Sequence, residues 1–457
     1  MKNSASTVKE PARTLPVALE TDVCVVGGSC TGVFAAVTAA RLGARVALIE
    51  NQGFLGGVAT AGLVNVWHSL YDITGERQII AGLTQETLER LGRRQAVVVR
   101  DRKDASVYAY MNTEELKIEL DELVAEARVI PFLHTRFCAA IMDGPRLTAA
   151  VIEDKSGRRA IRAGMFIDAT GDGDVLVRAG LPVRVADVLQ PPTTCAIIQG
   201  CGELKRADPA FHLEKAVFDP NHPRGLRHAF GWSAPVVRGK DLTMAAITRV
   251  AGVNCADAAD LTRAEIEGRR QVRSMLDVLR DRPAGDQVSL VGLAATIGIR
   301  ETRHAVCLHQ ITEMELLHGT PAADVIGCGS YRVDVHHNGR PGITFRYLDG
   351  REEVMEDGGW RSGRWCPPGT ATATYYQIPY RALVPQGAVN LLAAGRMLDA
   401  DPGAYGALRV MVNCNQTGEA AGAAAWTALQ RNCGVAEVPV TEVQSALRRL
   451  GGLPALN

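Results

Sequence analysis

Three groups of residues in this chain have types and spacings that could do chemistry. The first is the turn Gly27-Gly28-Ser29-Cys30-Thr31-Gly32, followed further on by Glu50 and Asn51. A glycine turn at the start of a helix aims free N–H groups, and the partial positive charge of that helix end, at a pyrophosphate. Glu50 then stands where ribose hydroxyls need an acceptor. Serine 29 replaces the usual middle glycine of G-x-G-x-x-G. Its Cβ hinders close backbone approach to phosphate, while its hydroxyl can donate to one.

The second group is Gly298-Ile299-Arg300-Glu301-Thr302-Arg303-His304, where charge follows the apolar run Val288–Ile297. Arg300 could clamp a carboxylate in bidentate fashion. The bland alternative is a surface network of Arg300 or Arg303 with Glu301. The third group is Tyr331-Arg332-Val333-Asp334-Val335-His336-His337. On a strand Asp334 and His336 project to the same face. An Asp beside a His fixes its tautomer and raises its basicity, which suits a general base. The alternative here is a satisfied surface pair. Tyr380-Arg381 is a further candidate, and no Cys/His cluster has metal-site spacing, so no metal is expected.

The elements that must position these groups are legible around the first. Asp22–Val26 is a short apolar strand, Val33–Leu42 a helix ended by Gly43, and Arg45–Ile49 a second strand closed by Glu50. A β-α-β unit with an acid in register makes the turn far more specific than its glycines alone. Small residues follow at Gly56, Gly57, Ala59 and Thr60, which would let backbone pass beside a bulky planar ligand. Phe166–Asp168 is a strand leading into Ala169-Thr170-Gly171-Asp172-Gly173-Asp174. Asn390–Ala394 is an apolar strand reaching Gly395-Arg396. Arg409–Cys414 then leads into a helix from about Gln416 to Leu429. Between them, Thr113–Ala127 predicts a helix opened by Thr113, and Pro131–Met142, Leu147–Asp154 and Arg158–Ile167 an antiparallel meander. Arg263–Arg280 predicts a helix begun by Thr262 with Glu265 as its capping box.

Composition narrows the function classes. The 457 residues are 47% hydrophobic and 22% charged, with 50 basic against 50 acidic residues. That balance disfavours nucleic acid and an anionic membrane surface as partners. Val23–Ala40 is uncharged but glycine-rich, and Glu20 and Asp22 precede it, unlike a membrane helix or signal peptide. Eleven scattered cysteines read as free thiols, and the expected location is cytoplasmic. The sequence is compatible with a homo-oligomer and determines no oligomeric state.

Together the Glu50…Gly56-Gly57, Asp168-Ala169-Thr170-Gly171-Asp172-Gly173-Asp174 and Ala394-Gly395-Arg396…Arg409-Val410-Met411…Cys414…Gly418-Glu419-Ala420-Ala421-Gly422 segments resemble the FAD-dependent oxidoreductases of the glutathione-reductase-like superfamily. The likeness is to a group related to fumarate-reductase-type flavoproteins, and is tightest over 20–180 and 385–430. It implies an α/β fold: a Rossmann-like FAD-binding domain with a parallel central sheet and a small antiparallel meander, plus an inserted α+β substrate or cap domain. The expected divisions are 1–18 a leader, 19–182 and 385–457 the two parts of the FAD domain, and 183–384 the insert. The resemblance implies FAD held by Gly27, Gly28, Ser29, Thr31, Gly32, Glu50, Asn51, Gly57, Ala59, Thr60, Phe137, Thr170, Gly171, Gly395, Arg396, Arg409 and Met411. In such proteins the segment near Phe137 contacts adenine through backbone atoms, and the C-terminal helix start faces the pyrimidine edge of the flavin. Departures from the family pattern stand at Ser29, Pro402 and Glu419.

No His immediately precedes Gly56, so the FAD is expected to be noncovalent. A single fingerprint and no redox C-x-x-x-x-C argue against a pyridine-nucleotide disulfide reductase. The expected function is hydride transfer from a small polar metabolite (a hydroxy acid, an amine or a sugar-like alcohol) to FAD. Arg300 would hold that substrate, and His336 oriented by Asp334 would take its proton. Rival readings are a fumarate-type reductase with Arg300 or Arg303 as proton donor, and a non-enzymatic protein that kept the fold. A flavin-dependent RNA modifier is disfavoured by the missing basic excess.

Overall fold

The apolar run before the glycine turn is buried on both faces: Val23 and Val25 enter one core, Cys24 and Val26 the other. A strand covered on both sides belongs in the middle of a parallel sheet. In the computed structural model, which describes residues 7–101, 108–227, 230–338, 341–356 and 359–455, this strand spans Val17–Val26. Val46–Ile49 and Gly157–Asp168 flank it in parallel, Ile130–Phe132 adds beyond the first and Leu391–Ala393 beyond the second. The opening residues of Gly157–Asp168 also pair antiparallel with Arg146–Asp154, which pairs with Arg136–Asp143. One long strand therefore joins the parallel sheet to the meander, and the chain adopts the expected α/β class.

Between Asp168 and Leu391 the sheets are antiparallel. Trp232–Pro235, Leu242–Ala246, Ala196–Gln199 and Ser289–Leu293 form one, in that order, and helix Ala258–Arg280 packs on it through Val272, Met275, Leu276 and Leu279. Val333–His336, Gly342–Arg346, Arg351–Glu356 and Gly359–Arg364 form another. Helix Pro402–Leu408 lies against Val333–His336: a Cβ at Gly406 would sit 2.7 Å from Asp334 O. The long helix Met411–Arg431 crosses the turn helix Cys30–Arg41 closely, since Cβ atoms at Gly418 and Gly422 would lie 2.1 Å from Thr31 O and 2.3 Å from Ala35 O.

Several local expectations are corrected. Pro131–Met142 is two strands, Ile130–Phe132 in the parallel sheet and Arg136–Asp143 in the meander, separated by His134 at φ +51°. The insert helix starts at Ala258: the Asp257 carboxylate accepts from the Ala259 and Asp260 amides, while Thr262 donates to Ala258 O inside the helix. Glu265 is no capping-box acid, because it accepts from the Ile297 amide. Asn112, not Thr113, caps Thr113–Glu126. The C-terminal helix starts at Met411, not near Gln416, so Met411–Cys414 is its first turn and only Arg409–Val410 precedes it. Arg409–Val410 is the join between Pro402–Leu408, capped by Asp401, and Met411–Arg431. The strand in the Val288–Ile297 run is Ser289–Leu293, so Arg300 follows in an irregular segment. The strand of the glycine turn begins at Val17, earlier than its apolar run, and residues 1–6 of the expected leader lie outside the described residues.

Candidate active site

The first cluster surrounds the start of helix Cys30–Arg41. Gly27 adopts φ +103°, and a Cβ there would meet Ala169 O at 2.4 Å. Ser29 caps the helix by accepting from the Gly32 amide at 3.4 Å, which leaves its own hydroxyl hydrogen to donate. Val33 is bonded to Ser29 O at 2.8 Å, so the Cys30 and Thr31 amides precede the helical ladder as end donors. Glu50 accepts from Gly28 N on Oε2 and from Gln52 N on Oε1, both at 2.7 Å. Each carboxylate oxygen keeps a further lone pair. Burial pushes Glu50 up from the ordinary carboxylate range, against the pull of the Gln52 and Gly28 amides.

The other residues expected at this cradle are placed as follows. Gly57 lies against the turn, where its Cβ would fall 2.7 Å from Ser29 Cβ. Ala59 and Thr60 are buried, and the Thr60 hydroxyl donates to Leu55 O at 2.7 Å. The Thr170 hydroxyl likewise donates to Asp168, at 2.7 Å, while its backbone lies beside Gly27 and Gly171 takes φ +79°. A Cβ at Gly395 would lie 3.2 Å from Thr31 Cγ2, and Arg396 pairs with Asp172 at 2.6 Å. Asn51 is exposed, and Phe137 is buried in the meander under Arg178. Met411 opens the C-terminal helix, and Arg409 just before it reaches the second cluster.

That second cluster centres on Asp334 and His336. Both are buried, and they face each other across 3.3 Å between Oδ1 and Nε2. The Tyr331 hydroxyl donates to Asp334 Oδ2 at 2.7 Å, and Arg409 Nη2 stands 3.2 Å from Oδ1. Burial raises the Asp334 carboxyl, but Arg409, Arg332 and the Tyr331 hydroxyl outweigh it and hold the group below its ordinary value. Asp334 is therefore ionised. Burial first, then Arg300, Arg249 and Arg409, hold His336 well below the ordinary imidazole range, so its ring is neutral. A cavity of about 540 Å³ is bordered by His336, Arg249 and Phe230, and a second, of about 600 Å³, by His336, Glu301 and His304.

Residues 22–447 match the profile of the family described as FAD dependent oxidoreductase. The chain belongs to that family. Its cofactor is FAD. No curated protein matches the chain. Among similar solved structures, a geranylgeranyl bacteriochlorophyll reductase-like protein from Thermoplasma acidophilum is 12% identical, over 94% of this chain and 83% of that one, at TM-score 0.48. The p-nitrophenol 4-monooxygenase of Pseudomonas putida DLL-E4 is 14% identical, over 64% of this chain and 70% of its own, at TM-score 0.38. A flavin-dependent brominase is 12% identical, over 94% and 83%, at TM-score 0.43.

The first cluster fits FAD in its donor set. It offers end amides and a hydroxyl for the pyrophosphate, a carboxylate for the ribose, and no side chain at 27, 28 and 32, where a Cβ would strike backbone, Leu55 or Glu50. Elsewhere the pairings differ from the sequence reading. Glu301 bonds His304 at 2.9 Å and the Gln190 amide at 2.9 Å, and Arg303 pairs with Asp174, so among the described residues the alternative Arg–Glu301 pairs are absent. Arg300 Nη1 is engaged by Pro191 O at 2.6 Å and Thr193 Oγ1 at 2.7 Å. Tyr380 donates to Val435 O and Arg381 pairs with Asp324, both structural. His68 packs on the Tyr331 ring at 4.1 Å, its pKa pushed down to about 3 by burial and Arg332. Sequence reasoning missed Arg249, which is brought beside His336 by the fold alone. No helix among the described residues is long and apolar enough to cross a membrane.

Proposed function

We propose that the chain oxidises a small polar metabolite at a noncovalently held FAD, with His336 taking the substrate proton. The observation that carries this is the fixed Asp334–His336 pair. Three neighbours hold the ionised Asp334: Tyr331, Arg409 and His336 itself. A carboxylate fixed in this way selects the imidazole tautomer and steadies the positive ring once a proton arrives. FAD, when bound, accepts the two electrons. Arg409 ties the pair to the start of helix Met411–Arg431, which packs on the proposed FAD-cradling helix, so the elements of proton acceptor and cofactor are linked through one helix. The finer kinship with glutathione-reductase-like and fumarate-type flavoproteins, and 183–384 as the substrate side, belong to the same reading. Noncovalent binding is supported by Leu55, not a histidine, before Gly56.

Arg300 contributes positive charge beside His336 more than a free clamp, because its Nη1 is already bonded. One observation favours a second reading, reduction with Arg300 as proton donor: burial, with Arg249 and Arg409 nearby, lowers Arg300 well below the guanidinium range. Direction separates the two. In the first reading hydroxy acids, amines or sugars bleach the FAD anaerobically; in the second an activated alkene restores colour to protein bleached with dithionite. His336→Ala should retain FAD and slow bleaching by about 10²–10⁴-fold, the usual worth of general-base assistance. Bleaching at the wild-type rate in that variant would remove His336 from the reaction.

A further inference from the structure

Two guanidinium groups converge on one neutral hydroxyl. Arg249 Nη1 and Arg300 Nη1 each donate to Thr193 Oγ1 at 2.7 Å. Their other acceptors are carbonyls: Thr248 O at 2.6 Å and Ala246 O at 3.4 Å for Arg249, Pro191 O for Arg300. Among the described residues neither arginine has a carboxylate within ion-pair distance, and Asp334 is held by Arg409, Tyr331 and His336. Arg249 is only 6% exposed, and among the described residues its Nε and Nη2 have no hydrogen-bond partner. Buried guanidinium nitrogens normally find acceptors, and a buried charge without a counter-charge is strongly disfavoured.

The backbone that carries this side chain is fixed on both sides. Gln271, on helix Ala258–Arg280, accepts from the Arg249 amide and donates to its carbonyl, both at 2.8 Å. A fixed backbone reduces the ordering needed when a ligand arrives. Arg249 and His336 border the same cavity, whose apolar walls are Pro191, Leu226, Phe230 and Pro341. The Arg249 guanidinium lies 5.9 Å from the Phe230 ring centre, and that ring meets His336 edge-on at 5.7 Å. At about 540 Å³ the space is too large for a bare inorganic anion and falls among ordinary small-molecule pockets, roughly 300–1,000 Å³. Its rim carries Arg227 and Arg270, the latter beside Glu267, which draws anions inward on balance.

We infer that the substrate is a carboxylate with an apolar, ring-sized body, its carboxylate on Arg249 and its body against Phe230. This rests on the proposed redox site, because His336 borders the cavity. An anion there also offsets the arginine charge that weakens His336 as a proton acceptor, so binding itself readies the base.

Benzoate is the test probe, titrated calorimetrically into FAD-loaded protein beside benzamide, which lacks the charge, and acetate, which lacks the ring. Benzoate should bind at least about 10-fold tighter than either. Arg249→Gln should weaken benzoate by about 10- to 150-fold, the worth of a charge-assisted contact, without changing benzamide. Phe230→Leu should weaken benzoate and leave acetate unchanged. Should Arg249→Gln fail to fold, the wild-type order and Phe230→Leu decide. Equal binding of benzoate and benzamide, no benzoate binding, or undiminished binding in folded Arg249→Gln overturns the inference. The visible spectrum of FAD, followed in the same titration, separates it from the reading beneath it. Arg249-dependent binding that leaves the spectrum unmoved keeps the carboxylate site and removes it from the redox centre.

Discussion

Glu50 is built into the glycine turn, and the proposed ribose contact would give the same carboxylate a second task. Its two oxygens already receive the Gly28 and Gln52 amides, and in the proposed role their remaining lone pairs would accept from the ribose. Glu50→Ala therefore removes acceptors from the turn as well as from FAD. With hydrogen bonds to charged groups worth about 1.5–3 kcal/mol, the FAD dissociation constant should rise about 10- to 150-fold. Glu50→Gln, which keeps one acceptor oxygen, should fall between. Fluorescence titration of FAD measures both, and an unchanged constant in folded Glu50→Ala would place Glu50 away from the ribose. This residue was legible in sequence because strand, turn, helix and acid lie within one short stretch. Asp334 and His336 were legible for the same reason, being two apart on a strand. Arg249 was not: its meaning comes from Thr193, Gln271 and Phe230, which no pattern of fixed spacing joins to it, and nothing beside it in sequence marks it.

At the scale of elements, the crossing of Cys30–Arg41 by Met411–Arg431 holds the cradle. The two backbones approach so closely that Gly418 and Gly422 have no room for a methyl, which would lie 2.1 Å from Thr31 O and 2.3 Å from Ala35 O. Alanine is favoured over glycine in a helix by about 1 kcal/mol, yet overpacking typically costs about 1–3 kcal/mol. Each Gly→Ala change should therefore destabilise in urea. The two should differ over FAD, because Gly418 presses on Thr31 in the turn and Gly422 on Ala35 a helical turn beyond it. Gly418→Ala should lose FAD more readily than Gly422→Ala at comparable stability, and equal retention would mean that the helix does not position the turn. The helix pattern itself was readable, but its start was not. Asp401-Pro402 opens a separate short helix, and Arg409–Val410 is only the join between the two, so the second helix begins at Met411 without a side-chain cap to mark it. Asp257 likewise outcompeted Thr262, since its carboxylate can accept from two amides at the helix start.

For the molecule as a whole, equal numbers of acidic and basic residues leave no net charge to drive unfolding near neutrality, so buried groups govern how stability changes with pH. Glu419 dominates the alkaline side. It lies on Met411–Arg431, and it accepts from the Leu83 amide at 3.1 Å, capping helix Gly82–Arg93, whose own N-cap Ala81 offers no side-chain acceptor. Burial pushes its pKa from 4.5 up to about 8, despite the Leu83 amide. The folded protein therefore holds a proton that the unfolded chain releases. The stability this contributes is complete below about pH 4.5 and is lost as pH rises through about 8. Asp168, raised by burial to about 6, loses its own contribution earlier, and the buried neutral His68 acts in the opposite sense, only as pH falls below its unfolded value of 6.5. Between pH 7 and 9 Glu419 is thus the group in motion. Glu419→Gln keeps an oxygen for the Leu83 amide and removes the titration. Urea unfolding should find the variant near wild type at pH 5 and more stable by about 1–3 kcal/mol at pH 9, the cost of an under-bonded buried charge. A difference that stays the same at both pH values would show that Glu419 does not carry its proton into the folded state.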